Sequence, residues 1–227
     1  MIPFPAMTLD TSRLDTVLFD LDGTLIDHFD SIHHCCALVA REMGQEVPSY
    51  ELVRATVGGS IGITMGRLFG EHLAVEGERL YRHFYPEHWQ LGLRLLPGAR
   101  ELLTALALRG LRCAVLTNKR ADASREITAF LDLDPLLAGV FGTGENPWRK
   151  PMPEFTFHAL GRLGTVTDRA VLVGDSTYDI ATAANAGLPC LTVATGTHSR
   201  EALLAHPHAG CFADLAHLGR EVFGIGA

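Results

Sequence analysis

An apolar run, Val17-Leu18-Phe19, stops dead at Asp20-Leu21-Asp22-Gly23-Thr24. The run reads as a buried strand. Residues two apart on a strand point the same way, and the Asp-Gly pair ends the strand at once. Asp20 and Asp22 are therefore expected at the carboxyl end of a core strand, where open α/β sheets bind ligands. Carboxylates that close repel each other unless a cation joins them or one takes up a proton. Such a pair suits a hard metal ion, a nucleophile and a proton-transfer partner. A turn capped by acids is the plainer reading of the same residues.

After this strand the character of the chain changes. Ile32, Cys35, Cys36, Val39 and Met43 fall at helical spacing. Ser49 can cap a second helix, with Glu51 in its first turn. Gly58-Gly59-Ser60-Ile61-Gly62 reads as a turn between helices or as a row of backbone N–H donors, and further helical stretches are expected over 63–69 and 77–91. No strand pattern occurs between Phe29 and Arg94, so 29–93 is expected to be an all-helical insert. From Leu95 onward strands and helices alternate. Strands are expected at 111–117, 139–142, 170–174 and 190–193, with helices between them and short helices in the tail. Alternation of that kind gives a parallel sheet with right-handed crossovers. The fold class is thus α/β: a Rossmann-like parallel core, 1–28 and 94–227, carrying a helical cap, 29–93.

Composition narrows the partners. The 227 residues hold 19 basic and 26 acidic side chains, net −7, with no basic stripe. Nucleic-acid binding is therefore not expected. No apolar run reaches membrane-spanning length. The first fourteen residues lack a basic n-region and contain Pro3 and Pro5, which is unlike an export signal. Five cysteines, an odd number without a C-x-x-C pair, fit a reducing cytoplasm better than a disulfide framework. His206-Pro207-His208 lacks further ligands nearby and reads as a surface loop.

Three other polar groups end core elements. Thr117-Asn118-Lys119 follows the strand residues Val115-Leu116. A hydroxyl, an amide and free N–H groups there can cradle phosphate or simply cap a helix. Lys150 precedes Pro151, which confines its backbone to extended forms and fixes the side-chain direction; taken alone it reads as a solvated loop lysine. Val171-Leu172-Val173-Gly174-Asp175-Ser176-Thr177-Tyr178-Asp179 repeats the strand-to-acid geometry of Asp20, and it places Asp179 in the first turn of the next helix.

In that order, Asp-X-Asp-Gly-Thr, Thr-Asn, Lys-Pro and Gly-Asp-X-X-X-Asp resemble the four motifs of the haloacid dehalogenase-like hydrolase superfamily. The helical insert resembles its first cap type. Val57-Gly58, Leu96-Pro97-Gly98-Ala99 and Ala183-Ala184-Asn185-Ala186-Gly187 are similar to the subgroup of phosphoglycolate phosphatase and its relatives. One departure is His28 after Asp27, where relatives carry Ser or Thr. True dehalogenases lack the second acid, here Asp22, so dehalogenation is not expected.

The resemblance implies a phosphatase acting on a small phosphorylated metabolite, phosphoglycolate-like, as a cytoplasmic monomer or homodimer. It implies that Asp20 is the nucleophile and Asp22 the acid and base. Mg²⁺ would be held by Asp20, the Asp22 carbonyl and Asp175. Lys150, Thr117, Asn118 and the backbone at Gly23 would bind the phosphoryl group, with Asp179 and Ser176 behind them. In the cap, Arg54, Arg67, His33 and His34 are candidates for a second anionic group, although each also reads as part of a solvated helix face. A phosphosugar mutase using the same core, and an inactive relative that only binds phosphometabolites, are the alternatives.

Overall fold

The computed structural model describes residues 9–226. The first eight residues, on which part of the export-signal reading rests, lie outside them. The chain opens with strand β1 (Thr16–Phe19) and the two-residue β2 (Ile26–Asp27). Four helices follow: α1 (Phe29–Glu42), α2 (Tyr50–Thr56), α3 (Ile61–Phe69) and α4 (Ala74–His88). The chain returns through β3 (Arg94–Leu95), α5 (Ala99–Leu108), β4 (Arg112–Arg120), α6 (Ala121–Phe130) and β5 (Gly139–Thr143). It ends with α7 (Pro153–Leu163), β6 (Ala170–Gly174), α8 (Thr177–Ala186), β7 (Cys190–Val193), α9 (Arg200–Leu204), β8 (Gly210–Phe212) and α10 (Leu215–Phe223).

Six strands form one parallel sheet in the order β5-β4-β1-β6-β7-β8. β1 lies in its interior and is wholly buried. Phe19 is level with Val115 of β4 and Val173 of β6, so three strands discharge their chains at one edge. Burial on both faces explains the uninterrupted apolar run that announced β1. One face packs Val17, Phe19, Val115 and Val173 against Leu102, Leu103 and Leu106 of α5. The other packs Leu18, Leu116 and Leu172 against Phe155 of α7 and Ile180 of α8.

Helices α1 to α4 bury a separate cluster of Ile32, Cys35, Cys36, Val39, Val53, Met65, Leu80 and Tyr81. The α1 members fall at the spacing of one helical stripe. The Ser49 hydroxyl accepts the Leu52 N–H at 3.1 Å and starts α2. The two passages between sheet and helices pair with each other as an antiparallel ribbon, Ile26 with Leu95 and Asp27 with Arg94. Two residues a side are too few for a periodic signal, and the sequence pattern misses this ribbon. The tail also differs from expectation. Besides its helices it contains β8, which extends the sheet beyond β7. Its glycine and brevity hid it. The cysteines are free, four of them buried. Among the described residues no helix is long and apolar enough to cross a membrane.

Candidate active site

The carboxyl edge of β1, β4 and β6 gathers the polar residues that the motifs marked. The Asp20 N–H donates to the Val173 carbonyl at 2.9 Å, and the Asp20 carboxylate accepts the Leu21 N–H at 2.7 Å. Gly23 turns the chain back with φ +83°, and a Cβ there would overlap Asp175; both facts require glycine. Asp175 accepts the Thr24 hydroxyl at 3.0 Å and the Thr197 N–H at 2.7 Å. Gly196 lies so close that any side chain there would collide with the same carboxylate.

Lys150 is fully buried, with its ammonium 2.8 Å from Asp20 and 2.7 Å from Asp179. Its backbone is fixed by Asn118, whose side-chain oxygen accepts the Lys150 N–H at 2.8 Å. The Asn118 amide donates to the carbonyls of Gly58, 2.9 Å, and Lys150, 3.2 Å. The amide is thus committed to positioning the lysine and the turn between α2 and α3 of the insert. Asp179 also closes a capping box on α8, accepting the Ser176 N–H at 3.1 Å and the Ser176 hydroxyl at 2.6 Å.

Carboxylate oxygens of Asp20, Asp175 and Asp179 lie within 4.8 Å of one another. Three buried carboxylates face one ammonium, which leaves two negative charges unmatched. Burial pushes Asp20 up to about 6, with Asp179 adding to it against the pull of Lys150. Burial, then Asp179 and Asp20, pushes Asp175 up to about 8. A buried set of hard oxygen donors with surplus charge fits a small divalent cation.

Asp22 stands apart from that cluster. Its carboxylate is 3.1 Å from His28 Nδ1 and 3.1–3.2 Å from Lys119 Nζ. Burial works to raise its pKa, but the Lys119 ammonium and His28 outweigh this and hold it well below the usual carboxyl range. Lys119 resists the same desolvation through Asp22 and is raised. Asp20, Asp22, Thr117, Asn118 and Lys119 open onto a cavity of about 480 Å³. Ile32, Tyr81 and Tyr85 of the helical insert line its opposite wall.

None of the four cap candidates lines this cavity. Arg54 donates to the Thr195 and Gly196 carbonyls at 2.9 and 3.0 Å and so ties α2 to the loop after β7. Arg67 donates to the Tyr178 hydroxyl at 2.7 Å. His33 lies 3.1 Å from the Pro48 carbonyl, and His34 packs on His88. Sequence reading passed over Lys119 as a site residue. The apolar pattern ends at Thr117, whereas β4 runs on through Arg120 past an irregularity in its pairing with β5, and this brings Lys119 to the cavity.

The haloacid dehalogenase-like hydrolase family matches residues 17–193. A phosphoglycolate phosphatase of Rhodospirillum rubrum is 32% identical over 215 residues, covering 89% of this chain and 88% of its own length. A 5′-nucleotidase of Pseudomonas aeruginosa is 28% identical over 208 residues, covering 91% and 94%. Among solved structures, a haloacid dehalogenase-like family hydrolase of Streptococcus pneumoniae superposes with TM-score 0.83 at 21% identity, over 91% of this chain and 97% of its own.

Proposed function

We propose a reaction for a chain that belongs to the haloacid dehalogenase-like hydrolase family: hydrolysis of a small phosphorylated metabolite through an aspartyl-phosphate on Asp20. The observation that carries this reading is the buried Asp20 at the end of β1, 2.8 Å from the Lys150 ammonium and open to the cavity it shares with Asp22. The relatives named phosphoglycolate phosphatase support a phosphomonoester substrate and make 2-phosphoglycolate the first to assay.

An Asp20 oxygen forms a bond to phosphorus as the bond to the leaving oxygen breaks. Asp22 gives that oxygen its proton, then takes one from the water that cleaves the aspartyl-phosphate. Lys150 neutralises charge on Asp20 and the transferring group, and Asp179 holds Lys150 in place. The Thr117 hydroxyl would hold a phosphoryl oxygen; the Gly23 and Thr24 N–H groups expected to join it instead donate to the Ile26 and Leu21 carbonyls at 2.8 and 3.2 Å, because the turn after Asp22 closes on itself. Mg²⁺ is the cation we assign; Asp20, the Asp22 carbonyl and Asp175 would hold it, and it would supply charge neutralisation for the phosphoryl group. Helices α1 to α4 would act as a cap over the core, with 29–93 moving against 1–28 and 94–227, excluding water from the cavity.

The test is phosphate release from some hundred phosphometabolites, 2-phosphoglycolate included, with Mg²⁺ and with EDTA. Release that needs Mg²⁺ is expected. Undiminished turnover after exhaustive EDTA treatment overturns the metal assignment, and no release from any substrate overturns the reaction. A hexose 1-phosphate in the panel separates hydrolysis from mutase action, which yields the 6-phosphate instead of free phosphate.

A further inference from the structure

We propose that Lys119 is a second catalytic lysine, one that meets the charge developing on the leaving oxygen, and that His28 is the residue that positions it. The proposal rests on the phosphatase reading above and assigns the leaving-group side of that site.

The two buried lysines stand on different sides of the reacting centre. Lys150 is locked between Asp20 and Asp179, and it does not line the cavity. Phosphoryl transfer proceeds with attacking and leaving oxygens roughly in line. The leaving oxygen is therefore remote from Asp20 and close to Asp22. Lys119 does line the cavity, and its ammonium is 3.1 and 3.2 Å from the two Asp22 oxygens. Arg82 and Arg120, which also line the cavity, are paired with Glu78 and Asp122. Lys119 is therefore the cation placed beside the proton donor.

Hydrogen-bond roles fix the geometry. The Trp89 carbonyl can only accept, so His28 Nε2, 2.6 Å away, carries a proton. Nδ1 lies 3.1 Å from both the Lys119 ammonium and Asp22 Oδ1; in the Nε2–H tautomer its lone pair accepts from the ammonium, which in turn donates to the Asp22 carboxylate. The ammonium has three N–H groups and three acceptor atoms: both Asp22 oxygens and His28 Nδ1. One N–H can serve the Asp22 carboxylate alone, which frees another for an incoming oxygen. The Tyr85 ring lies 5.3 Å from the same ammonium and supports it as a cation–π partner. The buried Tyr85 hydroxyl finds no hydrogen bond of acceptable geometry. His28 also joins the two ends of the helical insert, since it precedes α1 and bonds to the residue after α4. The seat of Lys119 is thereby tied to how those helices sit on the core.

In the first displacement the Asp20–phosphorus bond forms, the bond from phosphorus to the leaving oxygen breaks, and its electron pair stays on that oxygen. The oxygen accepts a hydrogen bond from Lys119 and takes its proton from Asp22. The hydrogen bond lowers how far that proton must have moved at the transition state. Lys119 thus matters most for poor leaving groups.

The experiment compares wild type, Lys119→Gln, Lys119→Arg and His28→Asn on a series running from 4-nitrophenyl phosphate through phenyl phosphate to an alkyl phosphate. Removing one donor to a developing oxyanion costs about 10²–10³-fold. Lys119→Gln should lose about that much on the alkyl ester and no more than about tenfold on the nitrophenyl ester. Lys119→Arg should recover part of the alkyl activity, and His28→Asn should show the same slope more weakly. Parallel losses across the series in Lys119→Gln would mean that Lys119 serves only the local structure. Where that variant fails to fold, a slope unchanged from wild type in both Lys119→Arg and His28→Asn overturns the proposal. A wild type that releases no phosphate removes the phosphatase reading as well, whereas an active wild type with parallel losses removes this inference alone.

Discussion

The edge of the sheet and the helical insert hold their polar side chains in different ways. Asp179 takes one bond from Lys150 and two from Ser176, and Asp175 is held by Thr24 and Thr197. Each of these groups is buried and over-determined. In the insert, His33 has one carbonyl contact and is partly open to solvent, and Arg67 has one hydroxyl contact and is exposed. A charge inside the edge must be paired because desolvation there is severe. On the helices charges pair with near neighbours in sequence, Arg79 with Glu76 and Arg82 with Glu78. Buried polar groups are thus concentrated at the edge of the sheet, and the insert lines the cavity with Ile32, Tyr81 and Tyr85.

Breaking the edge at Asp20 tests this most severely. Asp20→Asn should remove the nucleophile, prevent any phosphoenzyme and lower turnover by at least about 10⁴-fold with every substrate. Residual activity above that of Asp22→Asn, or a mass gain of phosphate on Asp20→Asn, would reverse the roles. Asp22→Asn should lose about 10²–10⁴-fold. With 4-nitrophenyl phosphate, whose leaving group needs little protonation, it should accumulate phosphoenzyme, visible by intact-protein mass. No accumulation under single-turnover conditions would separate Asp22 from the second displacement.

The surplus charge of the edge predicts a pH effect in metal-free protein. Asp20 and Asp175 keep their protons up to about 6 and about 8 in the fold, against 3.8 in an unfolded chain. Over that window the folded state binds more protons, so stability falls as pH rises. Thermal unfolding in EDTA should show a melting temperature decreasing from about pH 5 to about pH 8, and Mg²⁺ should flatten the curve by replacing the protons. A melting temperature that rises over the same range would contradict the charge balance drawn for the edge. The smallest effects belong to the insert. His33→Ala and Arg67→Ala should leave kcat/KM for the preferred substrate within about twofold, as surface substitutions commonly do. A loss above tenfold in either would bring that side chain into the site.

Much of the edge was legible because strands end where apolar runs end. Asp20, Thr117 and Asp175 each follow such a run, and the pattern requires only nearest neighbours in sequence. Lys150 was legible by its proline and its place in the motif order. Its fixation was not, since Asn118 reaches it from 32 residues away. The four cap candidates illustrate the converse. Helical periodicity says which face of α1 is buried, but not that Arg54 will reach across to Gly196, 142 residues on.

The sequence by itself determined the parallel sheet, the helical insert and the identity of the acids, because these follow from local alternation of apolar and polar residues and from turn chemistry. Tertiary structure decided which of those groups meet. It set three carboxylates against one ammonium, placed Lys119 beside Asp22, and bound His28 to the far end of the insert through Trp89. Such meetings depend on how elements distant in sequence pack, and burial then fixes their charge and their partners.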